Sequence, residues 1–170
     1  MLTKTTRSAI RALTYVGLYG AGEPISPRHL AEELGESPTY LAKVMRHLVR
    51  AGILQAHRGV AGGVVLNRPP EQITLRHIVE ACQGTILPDF CTETADLTGV
   101  CAFHRAGAEL HEAITGVLSR WTLSQFLAKP HPDALAAEDV RCWLEPNCPK
   151  RPRRPARAAT HVPEPPPAPD

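Results

Sequence analysis

The chain has 170 residues, 43% of them apolar, which gives room for one core-forming domain plus a tail. No window approaches the roughly 18 apolar residues of a membrane span, and the opening Met1-Leu2-Thr3-Lys4 lacks the apolar centre of a signal peptide, so a cytoplasmic protein with no membrane partner is expected. The five cysteines (Cys82, Cys91, Cys101, Cys142 and Cys148) form no compact framework and read as thiols or metal ligands rather than structural disulfides.

The net charge of +2 conceals an uneven distribution. Residues 1–68 hold 9 Lys/Arg against 4 Asp/Glu, residues 69–149 hold 5 against 11, and residues from 150 hold 5 against 2. A basic first third before an acidic middle fits a local nucleic-acid footprint; chance unevenness in small sums is the competing account.

From Thr5 to Tyr19, Ile10, Leu13 and Val16 share a helical stripe flanked by Ala9 and Ala12, with Arg7 and Arg11 towards the opposite side; the helix stops at Gly20. Ser26-Pro27 supplies a cap and a first-turn proline for a second helix closed by Gly35. Ser37-Pro38 repeats the device for a third, which turns Leu41, Val44, Met45, Leu48 and Val49 inward and ends at Gly52. Two capped helices joined by Leu34-Gly35-Glu36 make a helix-turn-helix. Two short β-type runs, 53–57 and 64–66, then flank the Gly-rich tip Arg58-Gly59-Val60-Ala61-Gly62-Gly63 and read as a hairpin wing.

Thr74 caps a helix running through Cys82 to Gly84, and residues 85–100 read as a loop. From Cys101 to about Leu127 one long helix is expected, with Phe103, Gly107, Leu110, Ile114, Val117 and Trp121 alternating four and three apart, the seam period of paired helices. Residues 146–170 hold 9 of the 17 prolines and are expected to be disordered. The expected fold class is therefore mainly α: a winged helix-turn-helix with a two-stranded wing (1–84), a sensor loop (85–100), a long C-terminal dimerisation helix (101–128) and a Pro-rich tail (129–170).

The third helix would be the recognition helix, with Ser37, Thr39, Tyr40, Lys43 and Arg46 meeting base edges or phosphates in the major groove of double-stranded DNA. Arg58, at a tip shaped by Gly62 and Gly63, would enter a minor groove or clamp a phosphate. A plain α-hairpin with no DNA role is the bland alternative. Cys91-x9-Cys101-x2-His104 offers two thiolates and an imidazole, donors that suit zinc or iron–sulfur iron rather than magnesium or calcium; Cys101 and His104 would share one helical face. Small buried or incidental cysteines are the competing account. Cys82, near Ile78 and Val79, reads as core. Cys142 and Cys148 read as incidental, and the basic run from Lys150 to Arg157 as either non-specific phosphate contacts or a solvated tail.

Taken together these stretches resemble the IscR/NsrR family of winged-helix regulators (the Rrf-two family) over roughly residues 1–128. The resemblance rests on Leu2-Thr3 with Ala12-Leu13, Ser37 to Gly52 with Tyr40-Leu41, Arg58-Gly59-x-x-Gly62-Gly63, Ile73 to Gly84, and Trp121-Thr122-Leu123. It implies a homodimeric transcriptional repressor reading a pseudo-palindromic operator, with no enzymatic activity. It also implies an iron–sulfur cluster, [2Fe–2S] in preference to [4Fe–4S], that tunes DNA affinity. Cys91 and Cys101 match the first and last of the family's three loop cysteines, and His104 matches a histidine that some members use as a further ligand. Residues 92–100 contain no middle cysteine, which leaves a ligand to be found among Asp96, Glu93, Cys82 or the other subunit. Arg7 stands where other members place a ligating carboxylate, and Ala42 where an acidic residue tunes site choice. A clusterless regulator working through a thiol switch or a protein partner stays open. A thiol enzyme or metal carrier is disfavoured, because Cys-x-x-Cys, a nucleophile motif and a phosphate loop are all missing.

Overall fold

The computed structural model describes residues 2–59, 62–86 and 98–129. Cys91, most of the expected sensor loop and the Pro-rich tail with Cys142 and Cys148 lie outside the described residues. The elements in chain order are α1 (Lys4–Tyr19), α2 (Pro27–Leu34), α3 (Pro38–Arg50), β1 (Leu54–His57), β2 (Gly63–Leu66), a 3-10 turn (Pro70–Gln72), α4 (Leu75–Gln83), α5 (Ala102–Arg120) and α6 (Leu123–Ala128).

Local signals start and stop these helices. Thr3, Ser26 and Thr74 each accept a bond from the backbone N–H three residues on, satisfying a donor that a helix start would otherwise leave unpaired. Gly35 closes α2 in the left-handed region at φ 62, and the N–H groups of Gly35 and Glu36 return to the carbonyls of Glu32 and Ala31, which is the Schellman arrangement.

The expectation that α1 is two-faced is corrected. Thr6 and every residue from Ser8 to Val16 are buried, because α1 runs through the middle of the unit and packs on α2, α3, α4, α6 and β2. Arg11, expected on the outer side, lies in the interior. Its Nη1 donates to Glu36 Oε1 at 2.7 Å and its Nη2 to the Leu34 carbonyl at 2.6 Å; the side chains of Arg11 and Glu36 are each 8% exposed. Ser8 Oγ donates to the same carboxylate oxygen at 2.7 Å. The charge at position 11 is thus spent inside, on the turn between α2 and α3.

The single long helix expected from Cys101 is also corrected: it ends at Arg120, and α6 starts anew at Leu123. Trp121 and Thr122 are extended, and the pair is held by Leu75 N–H to the Trp121 carbonyl (2.7 Å) and Leu123 N–H to the Ile73 carbonyl (2.8 Å). Thr122 and Gln125 form a capping box for α6. The turn buries Leu123 completely and lays Leu127 over Gly17 of α1, where a Cβ would stand 2.8 Å from the leucine methyls.

Breaking a buried ion pair from one side leaves an uncompensated charge, at a cost of about 3–5 kcal/mol. Exposed pairs such as Arg28–Glu32, at 85% and 60% side-chain exposure, contribute under about 1 kcal/mol. Urea denaturation of Arg11→Ala is therefore expected to show a stability loss several times that of Arg28→Ala; equal losses would contradict the bracing role of Arg11.

Candidate nucleic-acid interface and the cysteine–histidine turn

α3 buries Leu41, Val44, Met45 and Leu48, and the 3.6-residue period sends the intervening positions outward. Thr39, Lys43, Arg46 and Arg50 are exposed, as is Ser37 at the helix start. Ser37 occupies the cap position but its hydroxyl makes no capping bond, unlike Ser26, so the expected repeat of the capping device is only positional. Pro38 at the first helical position has no N–H to satisfy, and the Ser37 hydroxyl keeps its donor and acceptor capacity.

Tyr40 is half-buried. Its hydroxyl donates to Thr5 Oγ1 over a long 3.5 Å, and the Lys4 ammonium stands 5.2 Å from its ring centroid. Sequence spacing does not reveal this pairing of the start of α1 with the first turn of α3.

The wing is an antiparallel pair in which Leu54 faces Leu66 and His57 faces Gly63. Arg58 follows β1 and is exposed. Gly62 and Gly63 shape the hairpin sterically: a Cβ on Gly62 would lie 2.6 Å from the His57 carbonyl oxygen, and one on Gly63 would lie 2.5 Å from the Ile25 backbone. Gly63 is buried because Ile25 pairs with Val64 on the far side, through bonds of 3.1 and 2.9 Å. At the other end of the hairpin, Asn67 Nδ2 donates to the Gly52 carbonyl (3.0 Å) and Arg68 Nη2 to the Ala51 carbonyl (3.3 Å). These bonds satisfy carbonyls at the end of α3 and tie wing and helix together.

At the start of α5, Cys101 is the cap residue, exposed, and makes no side-chain capping bond. His104, three residues on, is half-exposed on the same turn. Two of the three expected ligands therefore share one helical turn, while Cys91 lies outside the described residues. Among the described residues no group of three His, Cys, Asp or Glu is placed to hold a metal ion. The donor types suit an iron–sulfur cluster, but three ligands from one chain leave a coordination position to another group. Cys82 is a poor candidate for it: it packs against the core and hydrogen-bonds Thr6, and burial pushes its thiol up to about 11, the reverse of a ready thiolate.

Further along α5, Leu118 is its one buried residue. Phe103, Leu110, Val117 and Trp121 are 77%, 54%, 45% and 42% exposed, an apolar stripe at the seam spacing seen in the sequence. Beside its lower half, Leu2, Val79, Ile86, Ile114 and Val117 line an open groove of about 440 Å³.

A helix-turn-helix whose second helix is mounted on the core, followed by a braced two-stranded hairpin and a long helix, defines the winged helix-turn-helix class. Residues 2–129 match the Rrf2 family, described as iron-dependent transcriptional regulators, and the chain belongs to that family. It is 30% identical over 132 residues to the HTH-type transcriptional repressor NsrR of Streptomyces coelicolor, covering 76% of this chain and 89% of that protein. Its fold is similar to CymR of B. subtilis (23% identity, TM-score 0.62, 75% of this chain and 96% of the other). It is likewise similar to IscR of T. potens (23% identity, TM-score 0.60, 85% and 95%).

The contrast between the two described cysteines is measurable. With its thiol held from the usual 9.0 up to about 11, Cys82 is expected to resist iodoacetamide at pH 8 while exposed Cys101 is alkylated, as read by peptide mass spectrometry. The unfolded chain releases the Cys82 proton first, so this thiol's contribution to stability is complete below pH 9 and falls between 9 and about 11.

Proposed function

We propose that this chain is a homodimeric, cytoplasmic transcriptional repressor that reads a pseudo-palindromic operator in double-stranded DNA, its occupancy tuned through Cys91, Cys101 and His104. The observation that carries the DNA half is the placement of α3: one face is fixed in the core while Ser37, Thr39, Lys43 and Arg46 are exposed, as is Arg58 of the wing. Hydroxyl and amine donors at the front of the helix suit base edges and phosphates, and the wing arginine suits a narrow minor groove. The apolar stripe of α5 supports pairing with a second copy, which would set two recognition helices about one DNA turn apart.

For the tuning half, the family's description as iron-dependent and the thiol–imidazole donor set support an iron–sulfur cluster on Cys91, Cys101 and His104, with [2Fe–2S] preferred to [4Fe–4S]. Such a cluster supplies a group that responds to iron and to oxidants. Because Cys101 is the cap of α5, whatever holds its sulfur also holds the first turn of that helix. A thiol switch without a cluster is the second reading. It is favoured by an exposed Cys101 with no capping bond and by the missing middle cysteine between 92 and 100.

Two measurements test these halves separately. In a gel-shift titration, log affinity for duplex DNA is expected to fall steeply with log salt; a flat response contradicts the DNA reading. Anaerobic purification is expected to yield a coloured protein with stoichiometric iron and sulfide, and Cys101→Ala is expected to lose the colour without losing the fold. A colourless wild-type protein that still shifts DNA, and does so differently after peroxide, supports the thiol switch instead.

A further inference from the structure

We propose that Lys4, at the start of α1, is a further phosphate-contacting residue of the DNA interface, carried to the recognition helix by the ring of Tyr40. The inference rests on the DNA-binding reading above and names a residue outside the helix-turn-helix and the wing.

Lys4 is distant from α3 in sequence, yet its ammonium lies 5.2 Å from the centroid of the Tyr40 ring. Tyr40 is the third residue of α3 and shares a helical side with exposed Lys43, three residues on. A second contact lies at the same meeting point, where the Tyr40 hydroxyl donates to Thr5 Oγ1 over 3.5 Å. α1 cannot slide away from it: Thr6 and residues 8–16 are buried. The ammonium is therefore held at the front end of the recognition helix, where a helix entering the major groove meets the flanking phosphates.

The chemistry agrees with the position. Lys4 is exposed and has no carboxylate partner among the described residues, and neither α1 nor α3 has an acid in its first turn. A ring face attracts the charge without supplying a lone-pair acceptor to each N–H, so the ammonium keeps donors for a phosphate oxygen. The Tyr40 hydroxyl, by contrast, donates towards Thr5 Oγ1 over 3.5 Å. The phosphate donor at this corner is Lys4, with Tyr40 as its support.

The test uses the full chain and sonicated mixed-sequence duplex DNA, because phosphate contacts carry no sequence information. Each phosphate contact contributes about 0.9 to the slope of log affinity against log salt. Lys4→Gln is expected to lower low-salt affinity roughly three- to tenfold and to reduce that slope by about one unit per protomer. Lys4→Arg is expected to retain the wild-type slope. A steep wild-type slope that Lys4→Gln leaves intact overturns the assignment of Lys4 while sparing the DNA reading. A lowered melting temperature with an unchanged slope also overturns it, as a purely structural contact would behave that way. A flat wild-type slope overturns both.

Discussion

The buried pair between Arg11 and Glu36 is the constraint on which the DNA-reading geometry depends. A helix-turn-helix is useful only if the angle between its two helices is fixed, and here the chain passes from one to the other through a turn built on Leu34, Gly35 and Glu36. In a Schellman ending the residue after the glycine is commonly apolar and packs back on the helix. This chain places a carboxylate there, at 8% exposure, which would be costly without a partner. Arg11 neutralises it and, with its second nitrogen, satisfies the Leu34 carbonyl at the end of α2. Glu36 Oε2 is buried without a hydrogen-bond partner among the described residues, while three donors' contacts with this turn converge on Oε1 and the Leu34 carbonyl. The turn is thereby anchored to the central helix rather than merely to its own two arms.

The second constraint lies at the other end of the chain. α5 is attached to the unit by its C-terminal part: Leu118 is its buried residue, and Trp121 and Thr122 pair with the strand-like segment before α4. The rest of the helix projects with an exposed apolar stripe. A helix of this kind owes its stability to packing of that face rather than to propensity, which is why pairing with a second copy enters the proposed function. α6 then returns to cover Gly17, so α1 contacts both the turn before α3 and the short helix that follows α5.

What the sequence reveals and what it conceals divide along physical lines. Helix starts at Ser26 and Thr74 and the stop at Gly35 are local chemistry, and they read directly. So does the outward face of α3, because its apolar positions recur at the helical period. Arg11 does not, since a lone arginine on a helix is normally solvated and nothing local reveals that Glu36 will be delivered to it. The break at Trp121 is equally hidden: no proline or glycine marks it, the seam spacing runs right up to it, and the cause is pairing with Ile73 and Leu75 far back in the chain. Gly62 and Gly63 are legible as important, but the reason is steric, close passage of the His57 and Ile25 backbones, rather than flexibility at a tip. Cys101 and His104 are legible as one helical turn, whereas the contact of Lys4 with Tyr40 is again long-range.

These attachments bear on how such a molecule is regulated. The wing is pinned to the end of α3 by Asn67 and Arg68 and to the segment before α2 by the pairing of Ile25 with Val64. The front of α3 is pinned to α1 through Tyr40, and the turn before it through Arg11. The helix α3 and the paired strands β1 and β2 are thus tied to one another and to α1 within the chain, which leaves their mutual spacing little room to change. Two states of a packed unit need an element with two discrete arrangements. On the proposed reading that element is α5, which begins at the sensing cysteine, carries the face that meets the second copy, and ends in the bonds to Ile73 and Leu75. A signal entering at Cys101 then acts on the distance between two rigid readers, not on the shape of either.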